Sequence, residues 1–231
     1  MSHTDALQGI YAISDEILTP YKILSQCVES ALKAGVRIFQ LRDKSHSDEW
    51  LYPIAKELLK LCERYNALFV LNDRLDLALR LNAPALHIGK DDGEFAAVRE
   101  RFSGILGASS YGDLQKAQIL ESLGADYVAF GAFFPSPTKP NATAAPLELL
   151  PQAKQTLKIP ICAIGGISTQ NIHLLKNADM HAVVSSLWSH NTQDSSTLES
   201  THTNSTHTKS TLQNRLDSIT HNAKALQKAL E

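Results

Sequence analysis

Eight short, β-rich segments alternate along this chain with longer stretches whose apolar residues recur at helical spacing. The pattern predicts strands at Gly9–Ile13, Val36–Leu41, Leu68–Leu71, Ala85–Ile88, Gly104–Ala108, Asp126–Gly131, Ile159–Ile164 and His181–Val184. Between them, runs such as Trp50, Ile54, Leu58 and Leu61 mark one face of a helix. A parallel neighbour can be reached only through a crossover, so repeated strand–helix units predict a parallel sheet flanked by helices. Eight strands in 231 residues favour a closed α/β (β/α)8 TIM barrel over an open sheet, with the whole chain, 1–231, as a single domain. The last strand is the weakest, because Ala-Val-Val is short. Ala34-Gly35 and Gly124-Ala125 read as helix ends feeding the next strand.

One segment breaks the pattern. From Ser189 to Thr211, 18 of 23 residues are Ser, Thr, Asn or His, too few apolar groups to offset the entropy of ordering. A disordered insertion is expected there. Its histidines include His202 and His207, but no Cys or carboxylate cluster accompanies them, which weighs against a metal site. Leu212, Leu216, Ile219, Ala223, Leu226 and Leu230 then form one stripe, predicting a closing helix over 212–230.

Net charge is −2 and no basic stripe is interleaved with aromatics, so nucleic acid is not an expected partner. Cys27, Cys62 and Cys162 are odd in number and sit among apolar residues, as reduced thiols do. No run approaches the ~18 apolar residues of a membrane span, and Met1 to Gly9 lacks a signal-peptide pattern. A cytoplasmic location is expected; homo-oligomer formation is left open.

Polar clusters fall just past the strand ends, where barrel enzymes carry their sites. Strand two runs into Gln40-Leu-Arg-Asp-Lys, strand three into Asn72-Asp-Arg, strand four into Gly89-Lys-Asp-Asp and strand five into Ser109-Ser110. Strand six is followed by Ser136-Pro-Thr-Lys, strand seven by Gly165-Gly166 and strand eight by Ser185-Ser186. Gln40, Arg42 and Lys44 alternate, so their side chains can share one face. Two cations and an amide suit a diphosphate; solvated charges at a strand end are the plainer reading. Asp73 and Asp92, with Asp91 as a rival, make an acceptable Mg²⁺ pair once diphosphate oxygens complete the shell, although Asp73 could equally cap a helix. Ser136, Thr138 and Lys139 could close over a phosphate or simply form a Pro-rich turn. Gly166, with Val184 and Ser185, matches the usual barrel phosphate site. His87 reads as a packed histidine, and nothing resembles a Ser/His/Asp or Cys/His nucleophile system.

Taken in order, Tyr11-Ala-Ile-Ser-Asp, Gln40-Leu-Arg-Asp-Lys, Leu71-Asn-Asp-Arg-Leu-Asp-Leu-Ala-Leu, His87-Ile-Gly-Lys-Asp-Asp, Gly124-Ala-Asp-Tyr-Val-Ala-Phe-Gly-Ala-Phe-Phe-Pro-Ser-Pro-Thr-Lys and Ala163-Ile-Gly-Gly-Ile resemble the thiamine-phosphate synthase family across about residues 9–188. The resemblance implies a Mg²⁺-dependent transferase joining a pyrimidine diphosphate to a thiazole phosphate (or its carboxylated form) with release of PPi. By matching position it implies Gln40, Arg42, Lys44 and Asn72 on the pyrimidine diphosphate and Asp73 and Asp92 on Mg²⁺. Ser109 and Lys139 would be the catalytic pair, beside the reacting pyrimidine and on the diphosphate. Ser136, Thr138, Gly166, Val184 and Ser185 would hold the thiazole phosphate. Lys90 stands where the family often has Gln, Ser110-Tyr111 replaces a commoner Thr-His, and Asn177-Ala-Asp-Met-His-Ala lacks the usual Gly-Ala-Asp-Gly. The rival functions are a thiazole tautomerase on the same barrel, a non-catalytic barrel that binds thiamine precursors, and another phosphate-binding barrel enzyme.

Overall fold

The computed structural model describes residues 6–89, 94–136, 144–189 and 205–231, with side chains of the last stretch from 210 onward. Eight parallel strands close in sequence order into a barrel: β1 (Gly9–Ile13), β2 (Ile38–Leu41), β3 (Leu68–Asn72), β4 (Ala85–Ile88), β5 (Ile105–Tyr111), β6 (Tyr127–Phe130), β7 (Ile161–Ile164) and β8 (Met180–Val183). Helices α1 (Leu24–Lys33), α2 (Asp48–Arg64), α3 (Leu75–Leu81), α4 (Phe95–Arg101), α5 (Leu114–Ser122) and α6 (Leu149–Thr156) connect them, with a 3₁₀ turn at Ile172–Leu175 before β8. Then come α7 (Ser185–Trp188) and α8 (Ser205–Lys228).

Every expected strand is present, with ends displaced by up to three residues. β5 runs on to Tyr111 through a register shift between Ser109 and Tyr111. Val184 lies outside β8 and stands at the N-cap of α7. Gly35 and Gly124 end α1 and α5 with φ of +98° and +92°, a region that costs glycine nothing.

The strand period of two sorts the apolar residues into two cores. Outward positions such as Phe39, Leu41, Phe69, Leu71, Leu86 and Phe130 pack under the helices. Inward positions, among them Tyr11, Ile38, Val70, Ile105, Tyr127 and Met180, fill the bore. Tyr127 crosses the bore beside β5, where a Cβ on Gly107 would lie 2.0 Å from its ring. Only glycine leaves room there.

The closing helix starts at Ser205, earlier than the expected 212, and ends at Lys228. Ile219, Ala223 and Leu226 are fully buried against the barrel, and a helix so anchored can extend backward through poor formers, since propagation is far cheaper than nucleation. Within the expected 189–211 insertion, Ser189 caps α7 and 190–204 lie outside the described residues. Among the described residues, no helix is long and apolar enough to cross a membrane. Cys27, Cys62 and Cys162 are free and buried, as expected.

Candidate active site

A cavity of about 270 Å³ opens at the C-terminal ends of the strands. The same alternation that fills the bore builds it: Gln40, Asn72, His87 and Ser109 end the inward rows of β2 to β5, and Arg42 and Lys44 continue the β2 row past the strand. The opposite wall, from β6 to β8, is Ala129, Cys162, Ile164 and Ala182. One side is polar and charged and the other apolar, a shape for a ligand with an anionic end and a flat, weakly polar body.

Asp73 follows β3 at φ +67°. Its carboxylate accepts from Asn72 Nδ2 and pairs with Lys44 Nζ. The capping alternative does not describe it: the N-cap of α3 is Arg74, with no side-chain cap bond. A carboxylate at the cavity wall beside cations that suit a diphosphate fits Mg²⁺, which takes one or two carboxylates and completes its shell with phosphate oxygens and water.

The loops carrying these residues are clasped from behind by Asp43, a wholly enclosed carboxylate. Oδ1 accepts from the backbone N–H groups of Ser45 (3.1 Å) and His46 (2.8 Å) and from Arg74 Nη2 (2.9 Å). Oδ2 accepts from Tyr21 Oη and meets His46 Nδ1 at 2.8 Å. Burial alone would raise this carboxyl, but the bonds from Tyr21 and His46 outweigh it and hold it at about 2. Arg74 also donates to the His46 carbonyl (2.7 Å) and to Asp48 (2.5 Å). Residues 43–44 of one loop thus meet 74–73 of the next, with Asp43–Arg74 buried and Lys44–Asp73 facing the cavity. Glu16, Asp43 and His46 bring ligand-type atoms within 4.8 Å of one another, but both oxygens of Asp43 are already engaged, so this group serves the clasp.

His87, read from sequence as a packed histidine, is hydrogen-bonded and 8 % exposed, and it also lines the cavity. Its Nε2 lies 3.0 Å from Ser109 Oγ and its Nδ1 3.0 Å from Tyr127 Oη. Tyr11 and Tyr111 are further wall residues to which sequence reasoning assigned no site role. Tyr11 was findable, since it shares inward parity with Ile13. Tyr111 was not, because a bulge delivers it at φ +60°. Cys162 lines the wall, but burial pushes its thiol up, and a protonated thiol is a poor nucleophile.

Six of the expected site residues therefore share one cavity: Gln40, Arg42, Lys44, Asn72, Asp73 and Ser109. Ser136, Gly166, Val184 and Ser185 are outside its lining. Gly166, at φ +62°, lets the β7 loop approach the β6 loop, since a Cβ there would stand 2.4 Å from the Pro135 carbonyl oxygen. Val184 and Ser185 begin the short α7. Asp92, its rival Asp91, Thr138 and Lys139 lie outside the described residues.

A family model described as thiamine monophosphate synthase matches residues 10–187. The chain belongs to the thiamine monophosphate synthase family. A thiamine-phosphate synthase of Wolinella succinogenes is 47 % identical over 186 residues, covering 79 % of this chain and 86 % of that protein. One from Thioalkalivibrio sulfidiphilus is 42 % identical over 189 residues, covering 80 % and 90 %. Among solved structures, a thiamine phosphate pyrophosphorylase from Pyrococcus furiosus superposes with TM-score 0.79 at 29 % identity, covering 98 % of this chain and 96 % of that one. Membership in the family sets the barrel, with its site at the strand ends, beside transferases acting in thiamine biosynthesis.

Proposed function

We propose that this chain is a cytoplasmic, Mg²⁺-dependent thiamine-phosphate synthase. It joins 4-amino-5-hydroxymethyl-2-methylpyrimidine diphosphate to a thiazole phosphate or its carboxylated form. The support is the family, together with one observation: Gln40, Arg42, Lys44, Asn72, Asp73 and Ser109 converge on a single cavity. A tautomerase gives no reason for a cationic pair beside an acidic residue there, and turnover separates the synthase from a non-catalytic barrel.

In this reading the methylene C–O bond breaks and its electron pair leaves with PPi. The thiazole ring nitrogen then supplies the pair that forms the new C–N bond, so no general base is required. Arg42 and Lys44 hold the diphosphate and offset the charge that builds on it, joined by Lys139. Asp73 and Asp92 would hold Mg²⁺, which when bound neutralises phosphate oxygens as a Lewis acid. Gln40, Asn72 and Ser109 hold the pyrimidine ring, and the apolar wall keeps water from the reacting carbon. Ser136, Thr138, Gly166, Val184 and Ser185 hold the thiazole phosphate at the β6 to β8 ends.

The test is PPi release from the purified chain with each substrate alone and with both, in Mg²⁺ and in EDTA. PPi and thiamine phosphate formed only with both substrates and Mg²⁺ are expected. A folded protein that binds the substrates and releases no PPi would return the choice to the tautomerase or the non-catalytic barrel.

A further inference from the structure

A buried run of hydrogen bonds crosses the bore and joins two residues of the pyrimidine site. Gln40 Nε2 donates to Tyr11 Oη (2.7 Å), and Tyr11 Oη lies 2.9 Å from Tyr127 Oη. Tyr127 Oη lies 3.0 Å from His87 Nδ1, and His87 Nε2 lies 3.0 Å from Ser109 Oγ. Tyr127 is fully buried and is not part of the cavity wall. Gly107 clears the space for its ring. Burial raises both phenols, so both keep their protons.

Proton counting gives this run two senses. With the Gln40 amide nitrogen toward Tyr11, Tyr11 donates to Tyr127 and Tyr127 to Nδ1 of His87. The imidazole then carries its proton on Nε2 and donates to Ser109. Each of the four bonds then has one proton, Gln40 Oε1 is left as an acceptor, and the Ser109 hydroxyl is left as a donor. The opposite sense requires the Gln40 amide to turn over, and it would present a donor at Gln40 and an acceptor at Ser109. With a neutral imidazole the two ends are therefore linked, and neither can reverse alone without leaving a buried phenol proton unpaired. An aminopyrimidine offers an N–H donor on its exocyclic amine and an acceptor at the adjacent ring nitrogen, the complement of the first sense. Its 4-oxo counterpart offers the reverse.

We infer that the Gln40–Tyr11–Tyr127–His87–Ser109 run is a specificity relay that selects an amino- over an oxo-pyrimidine. Tyr127 and His87 are its positioning residues. The inference rests on the assignment of Gln40 and Ser109 to the pyrimidine ring. Tyr127→Phe cuts the relay at its centre and leaves the cavity wall intact.

Titration calorimetry on the full chain would compare 4-amino-5-hydroxymethyl-2-methylpyrimidine diphosphate, its 4-oxo counterpart and inorganic pyrophosphate. The wild type is expected to prefer the amino compound. Tyr127→Phe should narrow that preference about tenfold, one hydrogen bond's worth, with pyrophosphate affinity unchanged. An unchanged preference, or equal weakening of all three ligands, overturns the relay. Wild-type protein that binds pyrophosphate but neither pyrimidine overturns the site assignment itself. Nitrogen-15 NMR of the wild type, with His87 assigned through His87→Gln, gives a second reading that does not depend on the Tyr127 variant folding. A proton on Nε2 supports the relay, and a proton on Nδ1 overturns it.

Discussion

Asp43→Asn removes one charge from the clasp behind the cavity and leaves its shape nearly unchanged. The remaining amide oxygen can still accept from Ser45, His46 and Arg74, the three donors now on Oδ1. The new amide group faces Tyr21 and His46, which can turn to accept. What is lost is the charge on a carboxylate with no exposed side-chain surface. Holding that carboxyl at about 2 instead of near 3.8 corresponds to about 2.5 kcal/mol in favour of the ionised form. Because neutral asparagine imitates the protonated acid, the variant should lose about 2–3 kcal/mol at pH 7. The sign follows from linkage: a carboxyl depressed by folding contributes fully above its unfolded value, near 4. That contribution fades as pH falls toward its folded value of about 2. Urea unfolding of both proteins from pH 7 down to pH 3 should show a gap that narrows below about pH 4. A variant within about 0.5 kcal/mol of wild type at pH 7, or a gap that stays constant in acid, would refute the charge-based account of the clasp.

Asp73→Asn tolerates the left-handed backbone that Ala would strain; turnover should fall about a hundredfold or more, Mn²⁺ binding followed by electron paramagnetic resonance should weaken, and the circular dichroism spectrum should not change. Gly107→Ala drives a methyl into the Tyr127 ring and should cost about 1–3 kcal/mol, while also raising the KM for the pyrimidine diphosphate; a variant as stable and as active as wild type would mean the bore is less tightly filled. Burial lowers His181 below its ordinary value, and its Nδ1 has no partner among the described residues. Folding therefore favours the neutral ring, and its contribution is full above about pH 6.5 and lost as pH falls through the lower folded value. Thermal melts of His181→Leu should show a shallower loss of stability than wild type between pH 7 and pH 5.

The barrel was legible because its two periods, two for strands and 3.6 for helices, are written locally in every segment. Strand parity also carried Gln40, Arg42, Lys44, Asn72 and Ser109 to one wall, since the strand ends of a closed barrel all open on the same face, and Asp73 joins them through the left-handed turn just past β3. The family could be read from ordered motifs for the same reason, because each sits where chain and site meet. Sequence alone could not bring Tyr127 to His87 across 40 residues, or Asp43 to Arg74 across 31, because such pairings depend on closure, on bulges and on the room left by Gly107. It also misplaced the start of the last helix, where Ser205 and its neighbours follow a stripe anchored by Ile219 and Leu226. Composition weighs what a segment can bury by itself, whereas a helix docked on a finished barrel takes its stability from tertiary packing.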